Sequence, residues 1–217
     1  MTATEASATA RSTGLLPHFK GYLRYPTPKI LFGYLTVALV ARAVQGRPTW
    51  GDAAVAAGIL AFEPFTEWLI HVFVLHMKPR TIFGRHWELS SAKGHRLHHE
   101  DPSDLDKVGV PVWATAGAVP IGAALVWFLV PRPYGATAIS TSLAMLCLYE
   151  WTHHLIHTTY RPKGRYYRSI WRTHRLHHYR NEHHWFGVTV TLGDRVLGTY
   201  PKHKTDVPLS PTARTLA

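Results

Sequence analysis

Residues 173–189 read THRLHHYRNEHHWFGVT. Three histidines, His174, His177 and His178, fall within five residues, and His183 and His184 follow. The same rhythm, His-x-x-His-His, recurs about eighty residues earlier in GHRLHHEDPSD (94–104) as His95, His98 and His99. On a helix, positions i, i+3 and i+4 share one face, so each triplet projects its imidazoles the same way. Two further groups stand at the ends of apolar stretches. His153 and His157, four apart, share a face. His71 and His76 are five apart, about 140° around an ideal helix. They converge on neighbouring metals, or on one metal if the helix carries a π-bulge. Neutral imidazole is the commonest biological metal ligand. Ten converging imidazoles are too many for one ion and suit two first-row metals.

The chain around these groups is segregated. Four apolar stretches run from about Ile30 to Val44, over 53–76, over 112–130 and over 134–157. A bilayer needs about 20 apolar residues per helical span. The third and fourth stretches meet that test. The first is short, and the second is interrupted by Glu63, Pro64, Glu67, His71 and His76. The tight link PRPYG (131–135) predicts an antiparallel helical hairpin. The fold expected is therefore all-α and integral to a membrane, with about four transmembrane helices and a cytoplasmic helical cap carrying the histidine-rich di-metal site. Residues 1–14, small and polar, read as a disordered tail; 15–205 form the membrane domain and 206–217 a C-terminal tail.

The formal net charge is +11 over 217 residues. All but three of the 24 basic residues lie before the first stretch, between the second and third, or after the fourth; the three are Arg42, Arg47 and Arg132. With four spans those segments share one side, and the positive-inside rule makes it cytoplasmic, both termini included. A basic face against anionic lipid accounts for the charge without nucleic acid. The single cysteine, Cys147, excludes a disulfide framework and a Cys-ligated cluster. No GxGxxG or P-loop pattern is present. The abundance of Arg and Ala hints at a bacterial source; the membrane is then the plasma membrane, or the endoplasmic reticulum in a eukaryote.

The pattern His71/His76, His95/His98/His99, His153/His157 and His174/His177/His178 resembles that of the fatty acid hydroxylase superfamily of membrane di-metal oxygenases. HHEDPSD, YEWTHHLIH (149–157), HHYRNEHHWFGVT (177–189) and DRVLGTY (194–200) resemble most the catalytic domain of fatty acid and sphingolipid 2-hydroxylases. The likeness covers roughly 67–200. It implies that these ten histidines hold two iron ions, with zinc able to substitute on purification. It also implies a monooxygenase that hydroxylates a fatty acyl chain, most often at the 2-position, with O2 and two electrons. Many eukaryotic members carry a fused cytochrome b5 domain. No His-Pro-Gly-Gly haem motif occurs here, so the electrons are expected from a separate acidic donor of ferredoxin or cytochrome b5 type. A sterol- or carotenoid-ring hydroxylase of the same superfamily is the alternative within enzymes. A metal-binding membrane transporter or sensor is the alternative outside them, though transport ligands belong near a span's midplane.

Carboxylates inside apolar segments are costly and functional by default. Glu67, one turn before His71, and Glu150, three before His153, are therefore expected to support the ligating imidazoles from behind. Asn181 is a weaker candidate for that role. His154, His183 and His184 are extra histidines beside the pattern. His18, His86 and His203 read as surface or interfacial residues. Trp87, Trp151, Trp171 and Trp185 read as an aromatic belt or as the lining of a lipid access route.

Overall fold

The computed structural model describes residues 14–216; all but Gly14 of the expected N-terminal tail lies outside them. The protein is mostly helical. Helices α1 (Leu15–Tyr22), α2 (Pro26–Ala43) and α3 (Trp50–Ile70) precede a π turn, His71–Leu75. A hairpin, β1 (Arg80–Ile82) with β2 (Arg85–Trp87), leads to α4 (Ser90–Glu100) and a 3-10 turn at Leu105–Lys107. Then come α5 (Val112–Leu129), α6 (Tyr134–His157), α7 (Arg165–Tyr179), α8 (Leu192–Val196) and a 3-10 turn at Lys204–Asp206.

The hairpin is a small addition to the helical architecture expected from sequence. Its strands pair antiparallel, with Arg80 opposite Trp87 and Ile82 opposite Arg85. Phe83 and Gly84 both have positive φ, 50° and 73°, which is what a two-residue turn of the twist-matched kind demands.

The chain forms two compact units. One holds Gly21–Glu63 and Val110–Trp151: α2, most of α3, α5 and most of α6. Pro26 and Pro28 open α2, where a missing N–H costs nothing. Arg42, buried at its far end, forks onto Asp52 at 2.8 and 2.7 Å, and Thr137 shares the Asp52 carboxylate at 2.5 Å. At Gly51 the Tyr134 ring lies over the backbone: a Cβ would stand 2.5 Å from it, and the ring would have to shift. Val110 is held from both sides: its carbonyl accepts from Thr27 Oγ1 at 2.9 Å, and its N–H donates to Glu150 at 3.0 Å.

Among the described residues, two helical stretches are long and apolar enough to cross a membrane, Trp50–Leu75 and Leu105–Leu129. The expected second and third spans thus pass the test, and the fourth does not. Helix α6 is continuous over 24 residues, but Glu150, His153, His154 and His157 dilute its last two turns. Large apolar side chains stand exposed along these helices: Val37, Leu39 and Val40 on α2, Leu60, Phe62 and Leu69 on α3, Ile121, Leu125 and Phe128 on α5. Contiguous exposed apolar surface of this kind suits a lipid environment rather than water.

Among the described residues, the second unit holds 14–20, Pro64–Gly109 and 152–216. Helix α7 is its amphipathic centre: Ile170, Thr173, His174, His177 and His178 are buried, while Arg165, Arg168 and Arg172 are exposed. Residues 206–216, read from sequence as a tail, pack back into this unit. Val207, Ala213 and Leu216 are buried, and Ser210 N–H donates to the Arg180 carbonyl at 2.8 Å.

Candidate metal centre

The backbone first decides how the imidazoles meet. In α3 Pro64 cannot donate a helical hydrogen bond. Two turns on, the helix widens into the π turn, closed by His76 N–H to the His71 carbonyl at 3.1 Å. The extra residue brings His71 and His76, five apart in sequence, to ring centroids 5.0 Å apart. The i, i+3, i+4 triplets do share a helix face, but each triplet divides. His95 and His99 of α4 join His71, His76 and His177 of α7. His98 of α4 joins His153 and His157 of α6 with His174 and His178 of α7. In each group of five, the ligand-capable atoms lie within 4.8 Å of one another. The groups are neighbours: His99 and His178 have centroids 4.1 Å apart.

Two contacts fit shared coordination as well as an imidazole–imidazole hydrogen bond. His71 Nε2 lies 3.0 Å from His95 Nε2, and His174 Nε2 lies 3.0 Å from His178 Nε2. Two nitrogens bound at right angles to one metal at about 2.1 Å would stand about 3.0 Å apart. Nε2 of His76, His98, His99, His157 and His177 is buried without a hydrogen-bond partner. Buried polar atoms left unpaired cost free energy. The donor set, ten nitrogens in two groups of five, therefore fits two metal ions.

The imidazoles are held neutral. Burial pushes His95, His98, His174, His177 and His178 well below their ordinary value, and the neighbouring histidines add to this. Burial pushes His99 down to about 4, against the opposing effects of the Ala213 carbonyl and Glu182. A neutral ring is the ligating form.

What orients the rings is mostly backbone. The Nδ1–H of His71 donates to the Phe186 carbonyl at 2.7 Å, that of His177 to the His184 carbonyl at 2.8 Å, and that of His99 to the Ala213 carbonyl at 2.8 Å. A carbonyl only accepts, so Nδ1 carries the proton and Nε2 presents its lone pair to the cluster. These carbonyls are held in turn. Asp194, buried, accepts from Phe186 N–H at 2.9 Å, Gly187 N–H at 2.8 Å and Thr199 Oγ1 at 2.6 Å. Trp185, between the two residues whose carbonyls accept these bonds, sits at φ 58°, a strained position for a bulky residue, and its N–H donates to the Thr199 carbonyl at 2.9 Å. Glu67 accepts from the N–H groups of Val188 and Thr189 and from Thr189 Oγ1.

The expected supporting carboxylates therefore have other partners than imidazole in the hydrogen bonds above. Glu67 ties α3 to the 186–189 loop, and Glu150 holds Val110. Asn181 N–H extends the end of α7, and its side chain reaches the Pro208 carbonyl at 3.3 Å and accepts from His183 N–H. His154 is buried outside both groups, and His183 is exposed beside Glu182 at 3.4 Å. His184 contributes its carbonyl rather than its ring. His86 and His203 are exposed as expected, but His18 is not: it is 1 % exposed and packs edge-on against Tyr160. Sequence reasoning missed Asp194 as a support, although it quoted the stretch that contains it, and missed the carbonyls of Phe186, His184 and Ala213.

Comparison with known proteins follows this geometry. A protein-family model described as fatty acid hydroxylase matches residues 55–199, a span that includes all ten histidines. The human fatty acid 2-hydroxylase is 27% identical over 142 residues, 64% of this chain and 37% of its own length. A dihydroceramide fatty acyl 2-hydroxylase of Arabidopsis thaliana is 30% identical over 151 residues, 68% of this chain and 60% of its own length. The chain thus spans between about a third and three fifths of these relatives. The visible hydroxylase domain of Scs7p shares the fold, with a TM-score of 0.67 and 22% identity over 83% of this chain and 68% of that one. With the family model matching about two thirds of its length, this chain belongs to the fatty acid hydroxylase family.

Proposed function

We propose that this protein is a membrane di-iron monooxygenase that hydroxylates a fatty acyl chain at the carbon beside the carbonyl. The observation that carries this reading is the pair of adjacent five-imidazole groups in a member of this family. His71, His76, His95, His99 and His177 would hold one iron, and His98, His153, His157, His174 and His178 the other. Zinc can occupy the same nitrogen sites. Bound iron supplies O2 activation, which no side chain here can provide. The overall reaction balances as R–CH2–CO–X + O2 + 2 e− + 2 H+ → R–CHOH–CO–X + H2O. The chain's own part is to keep ten imidazoles neutral, to exclude water from their buried nitrogens and to hold the rings through the 184–187 loop and residues 206–216.

The membrane reading extends to four spans, α2, α3, α5 and α6, with both termini and most Lys and Arg on the cytoplasmic side. Its support is the exposed apolar surface of those helices and the placement of charge along the chain. The histidines then stand where spans meet the cytosol. An acyl chain with its polar head at that plane brings its first carbons to the site. Mid-chain carbons would reach it only by drawing the head into hydrocarbon, at a cost of several kcal/mol. The names of the relatives, fatty acid 2-hydroxylase and dihydroceramide fatty acyl 2-hydroxylase, favour the same position. The electrons are assigned to a separate acidic carrier of ferredoxin or cytochrome b5 type.

The test is expression of the iron-loaded protein in a lipid-rich host with a co-expressed carrier, followed by fragmentation mass spectrometry of the lipids. A hydroxyl beside the carbonyl is expected. A hydroxyl at the far end of the chain, or on a sterol or carotenoid ring with no acyl product, overturns the reading.

A further inference from the structure

Helix α7 has two functional faces. His174, His177 and His178 occupy one, and the opposite one, about 10 Å away across the helix, walls a pocket of about 270 Å³. Arg165, Arg168 and Arg172 line it from α7, and Lys202 and Lys204 face them from the following segment. All five cations are exposed, and no ion pair is formed by any of them among the described residues. Like charges gathered without a counter-charge raise the free energy of the isolated protein, and an anionic partner relieves it.

Trp185, 2 % exposed, is one of the residues that line the pocket. Its two neighbours in sequence supply the carbonyls that bind His177 and His71. From Trp185 the path to the His177 imidazole crosses one peptide unit and one hydrogen bond, and the path to the His71 imidazole crosses two peptide units and one hydrogen bond. Both imidazoles belong to the same group of five.

We infer that this basic pocket is the docking site of the acidic electron carrier, and that electrons enter through the group containing His71 and His177. The inference rests on the proposed hydroxylase reading and gives its donor a place. A protein surface fits better than a small phosphate. A phosphate site buries some of its cations to fix their geometry, whereas solvated cations such as these steer a partner's carboxylates and then meet them at its edge. A one-electron carrier docks twice per turnover, delivering the two electrons that the balanced reaction consumes.

The test measures binding, with the full chain in detergent, of two probes: an acidic [2Fe–2S] ferredoxin and the soluble domain of a cytochrome b5. Variants reverse charge on each wall, R168E/R172E and K202E/K204E, and the control R80E/R85E makes the same charge change on the β1–β2 hairpin. Each wall variant should bind at least one probe about tenfold more weakly than the unsubstituted chain, with a shallower salt dependence, while the control stays within about twofold. Loss of affinity in the control equal to that in the wall variants overturns the site, and so does unchanged binding in the wall variants or no binding by the unsubstituted chain. Loss of inorganic phosphate or anionic-vesicle binding alone, with carrier binding intact, assigns the pocket elsewhere and overturns it too. Hydroxylated product is measured separately, so failure of the proposed reaction is distinguishable from failure of docking.

Discussion

The Nδ1 of His99 and the carbonyl oxygen of Ala213 are 2.8 Å apart and 114 residues distant in sequence. That bond makes the last described residues part of the candidate metal centre. Arg214 strengthens the closure by donating through Nε to the His99 carbonyl at 2.7 Å. Deleting residues 209–217 should leave His99 free to rotate and to bind through the wrong nitrogen. Loss of an orienting partner of this kind costs about 10- to 100-fold in metal affinity. Metal competition against a chelator checks it; an affinity equal to that of the full chain contradicts the role of the segment.

His98 and His99 are adjacent residues that serve different groups. Substituting either by Ala should therefore empty one site and spare the other, lowering the metal content from about two ions per chain to about one. Elemental analysis of the folded variants reads this directly. Loss of both ions from each variant, or of neither, contradicts the division into two groups of five.

Asp194 holds the loop whose carbonyls orient His71 and His177. Asp194→Asn keeps the shape but weakens acceptance from Phe186 N–H, Gly187 N–H and Thr199 Oγ1. The expected cost is about 10-fold or more in affinity for one ion, at the group containing His71. Gly187→Ala should act the same way, since a Cβ there meets the Val190 carbonyl and stands 3.0 Å from Asp194 Oδ2. Stepwise metal titration distinguishes the two ions. Equal weakening of both would place Asp194's influence on the fold as a whole.

The pH dependence follows from burial. An imidazole in the unfolded chain titrates near about 6.5, and burial pushes His99 down to about 4 in the folded protein. His95, His98, His174, His177 and His178 are lowered as well. Between those values the unfolded state binds more protons. The stability from these groups is therefore complete above about 6.5 and is lost as pH falls towards 4, and metal retention falls with it. Full metal content at pH 4.5 in a dialysed sample would contradict this.

Much of the site was legible in the chain because helical periodicity is a local rule. Three histidines at i, i+3 and i+4 must share a face whatever surrounds them, and the structure places both triplets on helices. The apolar stretches around Trp50–Leu75 and 112–129 were visible as span-length runs for the same reason. The five-residue spacing of His71 and His76 posed a choice that only the backbone could settle. The π turn settled it by adding one residue to a helical turn, which brings the two rings into one group.

By itself the sequence determined the candidate donors: ten clustered imidazoles, no thiolate among them, and basic segments between apolar ones. Only the tertiary structure decided which imidazoles face one another and what holds them. The split of His95 and His99 from His98 depends on how α4, α6 and α7 pack, since a shared face still presents its side chains over a range of angles. The carbonyls of Phe186, His184 and Ala213 left no mark in the sequence. Every residue has a carbonyl, and its use is set by where the fold carries the backbone.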